Sequence, residues 1–312
     1  MKIIDCFMYS DEDLMLEIRL NILDKYVKHF VICEAKFNHN GSEKKLNFNI
    51  EKFKKFKDKI TYLVVKEQPI NLSVINSNDD NLIRSSKILN NALHRENYQR
   101  NFLEKALDKF SDEDLVLIND LDEIPNLENF KYKNKITLFK QKMFYYKLNL
   151  MYPNFSWIGS KACKKKDLIS PQWLRNIKSK KYPPWRLDCL FSKKKYINVN
   201  FISDGGWHFS NVKKAEQINH KMKTFLHHLE YEESGMDVKD IQKNITNKTV
   251  FYDHFADKKS KKHEYEKKLE RINIGELPSF IINNQSKFKD TYENWNRLPN
   301  DRITIYRNWT LY

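Results

Sequence analysis

Glycine is scarce in this chain, with six residues in 312. There is no Gly-x-Gly-x-x-Gly and no P-loop, which excludes the usual glycine-built phosphate cradle. Any phosphate must be held by side chains or a metal. Long apolar runs are missing too. No stretch of about 18 apolar residues occurs, so the sequence offers no transmembrane helix. The four cysteines (Cys6, Cys33, Cys163 and Cys189) are far apart and form no Cys-x-x-Cys pair. That argues against a zinc ribbon or a thioredoxin-type site. Cys6 and Cys33 lie in apolar, strand-like runs and read as buried thiols. The opening residues Met1 to Cys6 are too short and too quickly acidic for a signal peptide and read as a first strand. The expected location is therefore cytoplasmic, including a peripheral position at the inner face of a membrane, or the host cytoplasm for a viral protein. No internal repeat is evident.

What is present describes a folded protein. Hydrophobic residues make up 40% and aromatics 13%, which fits a globular chain with a substantial core. The formal net charge of +15 favours acidic partners. The lysines are scattered, however, in a Lys- and Asn-rich composition of the kind an AT-rich genome produces. They are not gathered into a nucleic-acid-reading element, so no specific nucleic acid partner is expected. The triplets Asn154-Phe155-Ser156 and Asn244-Ile245-Thr246 read as incidental to the same composition.

The segment Asp114 to Pro125 carries the strongest signal. Leu115 to Ile118 reads as a short buried strand, and Pro125 stops it from continuing. Asp120, Asp122 and Glu123 follow at its end. Carboxylates crowded there repel one another unless a cation lies between them. Mg²⁺ and Mn²⁺ commonly bridge such carboxylates to substrate phosphates. Asp120-x-Asp122 is thus a candidate metal–diphosphate site. Taken alone, the segment fits a solvated turn with a helix N-cap equally well.

The order of elements supports the site. Ile3 to Phe7, Phe30 to Glu34 and Ile60 to Val65 read as strands. Ser10 to Asp13 has capping-box form and opens a helix striped by Leu14, Ile18 and Ile22. Ile50 to Phe56 reads as a helix. A long helix runs to Phe110 from Leu82 or Ala92, with Leu89, Leu93, Phe102, Leu103, Ala106 and Leu107 on its apolar face. Ile136 to Tyr146 reads as one further strand. Alternating strands and helices predict an α/β fold whose mainly parallel sheet is covered on both faces. Ligands bind beyond the carboxyl ends of such strands, where Asp120 and Asp122 fall.

Residues 151–203 are loop-rich and dense in aromatics, with Trp157, Trp173, Tyr182 and Trp185. Flat rings suit sugar faces and also fill cores. Ser203 to Ser210 forms a second signal. Gly205-Gly206 permits close backbone approach, and His208 is a candidate metal ligand. A helix over Ala215 to Tyr231 carries His220, His227 and His228. Its basic face could meet phosphates or lie in solvent. Asp257 to Arg271 reads as a charged surface helix. Aromatic segments with Trp295, Trp309 and Tyr312 close the chain and are expected to dock on the body. The expected division is a catalytic domain over 1–250 and a helical or irregular extension over 251–312, packed on it.

Taken together, these segments resemble glycosyltransferase family 17, the family of the bisecting β-1,4-N-acetylglucosaminyltransferase. The resemblance rests on Asp5-Cys6-Phe7, Leu16 to Leu20, Phe30 to Glu34 and Arg95 to Asn101. It is sharpest at Asp120-Leu121-Asp122-Glu123-Ile124-Pro125 and Gly206-Trp207-His208-Phe209-Ser210. The blocks stand in the family's order over roughly the first three-quarters of the chain. The resemblance implies a GT-A-type nucleotide-sugar-binding fold, a UDP-sugar donor (UDP-N-acetylglucosamine in the best-known member), Mn²⁺ or Mg²⁺, and inversion to a β-linked product. It places Asp120, Asp122 and His208 at the metal and Asp120 at the diphosphate. It puts Arg100, Asn101, Phe7, Glu34 and Trp207 around the nucleotide sugar. Unlike the animal members, this chain is expected to carry no membrane anchor or stem. The expected acceptor is therefore a cell-surface polysaccharide, lipopolysaccharide or virion glycan.

An inverting displacement also needs a carboxylate to take the acceptor proton. Glu123 and Asp188 are the candidates, with Asp204 behind them. Two other classes stay open on sequence alone. One is a metal-dependent phosphoesterase or nuclease, and the other is a non-catalytic glycan- or polyanion-binding protein.

Overall fold

The computed structural model describes residues 1–133, 135–189, 191–250 and 267–293. The chain opens with β1 (Ile3–Tyr9), α1 (Asp13–Leu23), β2 (His29–Ala35) and β3 (Ile60–Val65). Two 3-10 turns, separated by a kink at Phe53, span Ile50–Lys59 and lead into β3. Next come α2 (Asn81–Phe102), β4 (Leu115–Asn119), β5 (Glu123–Pro125), β6 (Ile136–Phe139), β7 (Gln141–Tyr145), β8 (Leu150–Trp157) and β9 (Lys161–Lys164). Then follow α3 (Pro171–Asn176), β10 (Val199–Ile202), β11 (Gly206–Ser210), α4 (Ala215–Thr224), α5 (His228–Glu233), α6 (Val238–Asn247) and β12 (Thr249–Val250). Two short strands, β13 (Lys267–Lys268) and β14 (Glu270–Arg271), lead to α7 (Ser279–Asn283).

Among the described residues, the larger sheet has the order β10-β6-β9-β4-β1-β2-β3. Strands β4, β1, β2 and β3 run parallel, as do β6 and β10. β9 is antiparallel to both its neighbours, β4 and β6. The sheet is therefore mixed, with parallel pairing in its β4-β1-β2-β3 half and between β6 and β10, and β9 antiparallel between them. A second sheet of order β14-β8-β7-β11-β5 lies beside it.

Alternation along the parallel strands sends side chains to two separate cores. Phe7, Phe30, Ile32, Leu115 and Leu117 pack under α1 against Leu16, Ile18, Leu20 and Leu23. Ile4, Cys6, Val31, Cys33, Val116 and Ile118 pack on the opposite face against Leu103, Ala106, Trp173 and Leu174. Helices thus cover both faces. A third core lies between the smaller sheet and α4 to α6, through Met143, Tyr152, Ile218, Tyr231 and Ile241. Residues 267–293 join the same body, since Leu277, Ile281, Phe288 and Tyr292 lie in the core under α1.

Several sequence expectations need correction. Leu89 and Leu93 do not form the buried face of α2. They stay exposed, while Asn91, Ala92, Gln99 and Arg100 turn inward. The polar residues among them have fixed partners: Asn91 pairs with the Ser73 backbone, Gln99 donates to the Cys33 carbonyl and Arg100 to Asp120. Ile136 to Tyr146 is two strands, because Lys140 carries the chain from one sheet to the other. Its N–H donates to Ile202 and its carbonyl accepts from Gly205. The helix expected over Ala215 to Tyr231 is broken into α4 and α5. Of the helix expected over Asp257 to Arg271, the part up to residue 266 lies outside the described residues, and the rest forms β13 and β14. Trp295, Trp309 and Tyr312 also lie outside them.

The two sheets meet at the turn after β4. The Glu123 N–H donates to the Asp120 carbonyl at 3.1 Å, and the Asp120 N–H donates to Glu123 Oε2 at 2.9 Å. The chain then enters β5, which pairs antiparallel with β11 and sets Glu123 opposite His208. Gly206 makes this pairing fit. Its φ is +118°, and a Cβ there would lie 2.1 Å from the Ile124 carbonyl oxygen.

A buried ion pair fixes the turn from below. Arg19 of α1 and Asp5 of β1 are both fully buried. The Arg19 guanidinium donates to Asp5 Oδ2 at 2.8 Å and Oδ1 at 2.6 Å. Its Nη1 also donates to the carbonyls of Asp120, Leu121 and Glu123 at 3.3, 3.2 and 2.7 Å. Asn119 completes the Asp5 carboxylate at 2.6 Å. Replacing Arg19 by leucine strands the Asp5 charge in the core. The expected loss is about 3–5 kcal/mol, read from urea unfolding. A loss below about 1 kcal/mol, typical of an exposed pair, would contradict this account.

Candidate active site

A cavity of about 940 Å³ opens beyond the carboxyl ends of β1, β2 and β4. Its wall includes Tyr9 to Glu12 after β1, Phe37 to His39 after β2, and Asp120 to Glu123 after β4. The smaller sheet adds Tyr145, Phe155, Trp157 and His208, and the α4–α5 region adds His220, Lys221, Phe225 and Tyr231. The walls mix charged groups with aromatic rings.

Two arginines hold Asp120. Arg100 of α2 donates to Oδ1 at 3.1 Å, and Arg175 of α3 donates to Oδ2 at 2.7 Å. The enclosing walls desolvate Asp120, which raises its carboxyl pKa. Arg175 and Arg100 outweigh this and hold it well below the usual carboxylate range. About a third of the side chain (35%) stays accessible. Arg175 also reaches Glu123, at 2.7 Å to Oε2 and 3.1 Å to Oε1. Trp157 Nε1 donates to Glu123 Oε1 at 2.6 Å. Gly159 leaves room for this cluster, because a Cβ there would fall 1.9 Å from Glu123 Oε1.

Asp122 faces different partners. His208 Nε2 lies 3.5 Å from its Oδ1, and Lys221 Nζ lies 4.0 Å from its Oδ2. Burial raises the Asp122 carboxyl, and His208 and Lys221 more than offset it. Burial lowers the His208 imidazole, and Asp122 reverses that shift to a net rise. The other imidazole nitrogen, Nδ1, is buried with no hydrogen-bond partner. Glu12 pairs with Lys213 and Lys221 at 3.4 and 3.5 Å. Burial raises its pKa, and the two lysines bring it down to about 2.

The donor set decides what a divalent cation would find. Among the described residues, no three His, Cys, Asp or Glu side chains form a ready-made metal cage. Asp120 is committed to two guanidiniums. Asp122 and His208 do face one another, supplying one carboxylate oxygen and one imidazole nitrogen. A Mg²⁺ or Mn²⁺ ion bound through one or two protein ligands and substrate phosphates needs no closed cage. The residues present fit an ion of that kind, held by Asp122 and His208.

The other sequence-derived candidates are distributed differently. Asp120, Asp122, Glu123 and His208 are gathered at the cavity. Arg100 lies behind its wall, tied to Asp120, to Glu96 at 2.7 Å and to Gln172. Asn101 accepts from the Gln172 N–H at 2.9 Å and so braces α3 against α2. Phe7 is not at the cavity. It lies in the core with the Arg19 guanidinium 4.6 Å above its ring, while its neighbours Met8 and Tyr9 reach the wall. Glu34 is buried and binds Lys44, the Asn47 and Phe48 N–H groups and the Tyr62 hydroxyl. It anchors the loop that brings Lys44, Lys45 and Asn47 to the cavity. Trp207 points away, donating to the Glu276 carbonyl at 3.2 Å.

Neither carboxylate expected to take a proton is free at the cavity. Glu123 has both oxygens bound by Arg175, Trp157 and the Asp120 N–H. Asp188 lies outside the cavity lining, in an exposed loop, chelated by Arg186 at 2.6 and 2.7 Å and by Lys195 at 2.8 Å. Asp204 is exposed and accepts from Asn126 at 3.4 Å. The sequence alone did not single out Arg175, Lys221 or Glu12: Lys221 and Glu12 sit in ordinary charged stretches, Arg175 is a lone charge in a short helix, and all three are far from Asp120 in the chain. It did flag the basic α4 region and the aromatic run holding Trp157. Of the three histidines there, His220 and His227 line the cavity, whereas His228 Nδ1 donates to the Phe225 carbonyl instead.

The family model of glycosyltransferase family 17 matches residues 1–292, so the chain belongs to that family. No curated protein matches it.

Lys161 sets the helix that carries Arg175. Its buried Nζ donates at 2.6 Å to the Arg175 and Ile177 carbonyls at the end of α3. Burial and the Arg175 charge push its pKa down to about 7 from the ordinary 10.5. Between those values the unfolded chain binds more protons, so the Lys161 contribution to stability rises with pH. Urea unfolding of the wild type should therefore gain stability relative to Lys161→Met as pH rises from about 7 to 9.5. Parallel curves, or a gap closing with rising pH, would overturn this.

Proposed function

We propose that this member of glycosyltransferase family 17 moves N-acetylglucosamine from UDP-N-acetylglucosamine to a hydroxyl of a glycan acceptor. The linkage formed is β, by inversion, on a GT-A-type donor site. The observation that carries the reading is the meeting of Asp122 and His208 in the wall of a cavity at the carboxyl ends of parallel strands. A glycosyltransferase of this family needs a sugar donor and a glycan acceptor. The finer assignments of donor, linkage and metal are our reading of the site.

Asp122 and His208 would hold Mn²⁺ or Mg²⁺. Such an ion supplies Lewis-acid stabilisation of the charge on a departing diphosphate. Lys221 places a further cation 4.0 Å from Asp122, in reach of the same charge. Its ammonium is kept protonated, because Glu12 and Asp122 outweigh the effect of burial. Asp120, locked as an ion by Arg100 and Arg175, offers acceptor-only oxygens to donor hydroxyls. The aromatic wall at Tyr145, Phe155 and Trp157 suits the apolar C–H faces of sugar rings.

Glu123 acts in this scheme as a positioning residue, since its oxygens orient Asp120 and Arg175. The acceptor proton needs another carboxylate. Glu230 lines the cavity, and its ion-pair partner is His227 at 3.1 Å rather than a lysine or arginine. We assign it as the base.

Thermal melts with UDP-sugars and GDP-sugars, each with and without Mn²⁺, test the donor and the metal together. A ligand that binds only the folded chain stabilises it by about 2.7 kcal/mol at a hundredfold excess over Kd. UDP-N-acetylglucosamine should raise the melting temperature in a Mn²⁺-dependent way. Asp122→Ala and His208→Ala should lose that Mn²⁺ dependence, and Asp122→Ala should abolish transfer while still melting cooperatively. No shift with any nucleotide sugar, or turnover retained in Asp122→Ala, would sink the proposal. Glu230→Gln should lower kcat and leave the donor-induced shift unchanged. An unchanged kcat would remove Glu230 from the base role.

A further inference from the structure

Residues 178–189 and 191–195 leave the body as a closed excursion after α3. Its ends are pinned together, since the Lys178 N–H donates to the Lys194 carbonyl at 2.8 Å. Trp173 of α3 holds the base, with Nε1 donating to the Lys193 carbonyl at 2.7 Å and its ring meeting Tyr196 edge-on at 6.0 Å. Turns at Pro183–Arg186 and Arg186–Cys189 shape the tip. The loop is thus a fixed projection from the helix that supplies Arg175 to the site.

The tip presents what a soluble surface ordinarily hides. Trp185, Leu187 and Phe191 are 77%, 71% and 89% exposed, all within seven residues. Single exposed apolar residues need no explanation, but three large ones on one projection do. The flanks are strongly basic. Lys178, Lys180, Lys181, Arg186, Lys193, Lys194 and Lys195 stand against one carboxylate, Asp188. Arg186 and Lys195 neutralise that carboxylate. No carboxylate among the described residues pairs with Lys178, Lys180, Lys181, Lys193 or Lys194.

We propose that this loop docks the protein on an anionic membrane surface, with Trp185, Leu187 and Phe191 entering the headgroup boundary between flanking lysines. Indole and phenyl rings favour that boundary, and each nearby lysine adds attraction to acidic lipids. Neither element alone gives stable attachment, but together they do. A polynucleotide would also meet the lysines. It would offer nothing to Leu187, and the loop forms a projection rather than a backbone-tracking groove. The proposal does not rest on the transfer reaction. Loss of docking would leave the nucleotide-sugar melt unchanged.

The full-length protein is spun with vesicles of phosphatidylcholine, with and without about 30% phosphatidylglycerol, across a salt series. Binding should require the acidic lipid and fall with salt. The variant Trp185→Ser/Phe191→Ser should bind about tenfold more weakly at the same melting temperature. Lys180→Glu/Lys181→Glu should weaken binding comparably and serves should the first variant melt early. Several results would overturn the proposal. These are no binding to acidic vesicles, equal binding by the wild type and both variants, or single-stranded RNA outcompeting the vesicles with an affinity that Trp185→Ser/Phe191→Ser leaves unchanged.

Discussion

One buried guanidinium organises the site. Arg19 satisfies the Asp5 carboxylate and then donates to three carbonyls of the Asp120–Glu123 turn. Carrying a charge pair into a core is costly, and a pair without further partners is weak evidence for stability. This one has those partners, because every polar atom it leaves over meets the turn backbone or Asn119. The result is that α1, β1 and β4 cannot shift independently. The carboxylates at the end of β4 inherit their position from a helix that holds their backbone.

A second layer of charge sits on that platform. Asp120 lies between two arginines, and Asp122 lies between His208 and Lys221. The neighbouring carboxylates therefore have unlike surroundings. Asp120 is held as an ion by Arg100 and Arg175. Asp122 keeps looser partners, at 3.5 and 4.0 Å. The cations that fold against each carboxylate offset the repulsion between the two adjacent anions.

The junction of two sheets makes this arrangement possible. Strand β4 of the larger sheet ends at Asn119, and the chain enters the smaller sheet at Glu123, opposite which β11 sets His208. Every group of the site thus comes from a strand end, from the turn between sheets, or from a helix packed on one of them. After α3, a basic loop with three exposed apolar side chains leaves the body. The helix that positions Arg175 against Asp120 also holds the base of this loop through Trp173.

Much of this was legible in the sequence. The strands at Ile3, Phe30, Ile60 and Leu115 declare themselves by apolar, β-branched runs, and such local patterns survive folding. The Asp120–Asp122 turn and His208 stood out for the same reason, since their chemistry is written in adjacent residues. What only the tertiary structure decided are the pairings across long separations. Arg175 reaches Asp120 over 55 positions and Arg19 reaches the turn over about a hundred. A lone arginine in a helix has no periodicity that reveals its partner. The same limit misplaced Phe7, whose strand position is correct but whose side chain faces Arg19 in the core. It also left Glu123 and Asp188 as candidate bases. Sequence gives a carboxylate's place in the chain, whereas the cations that fold against it determine whether its charge is free to react.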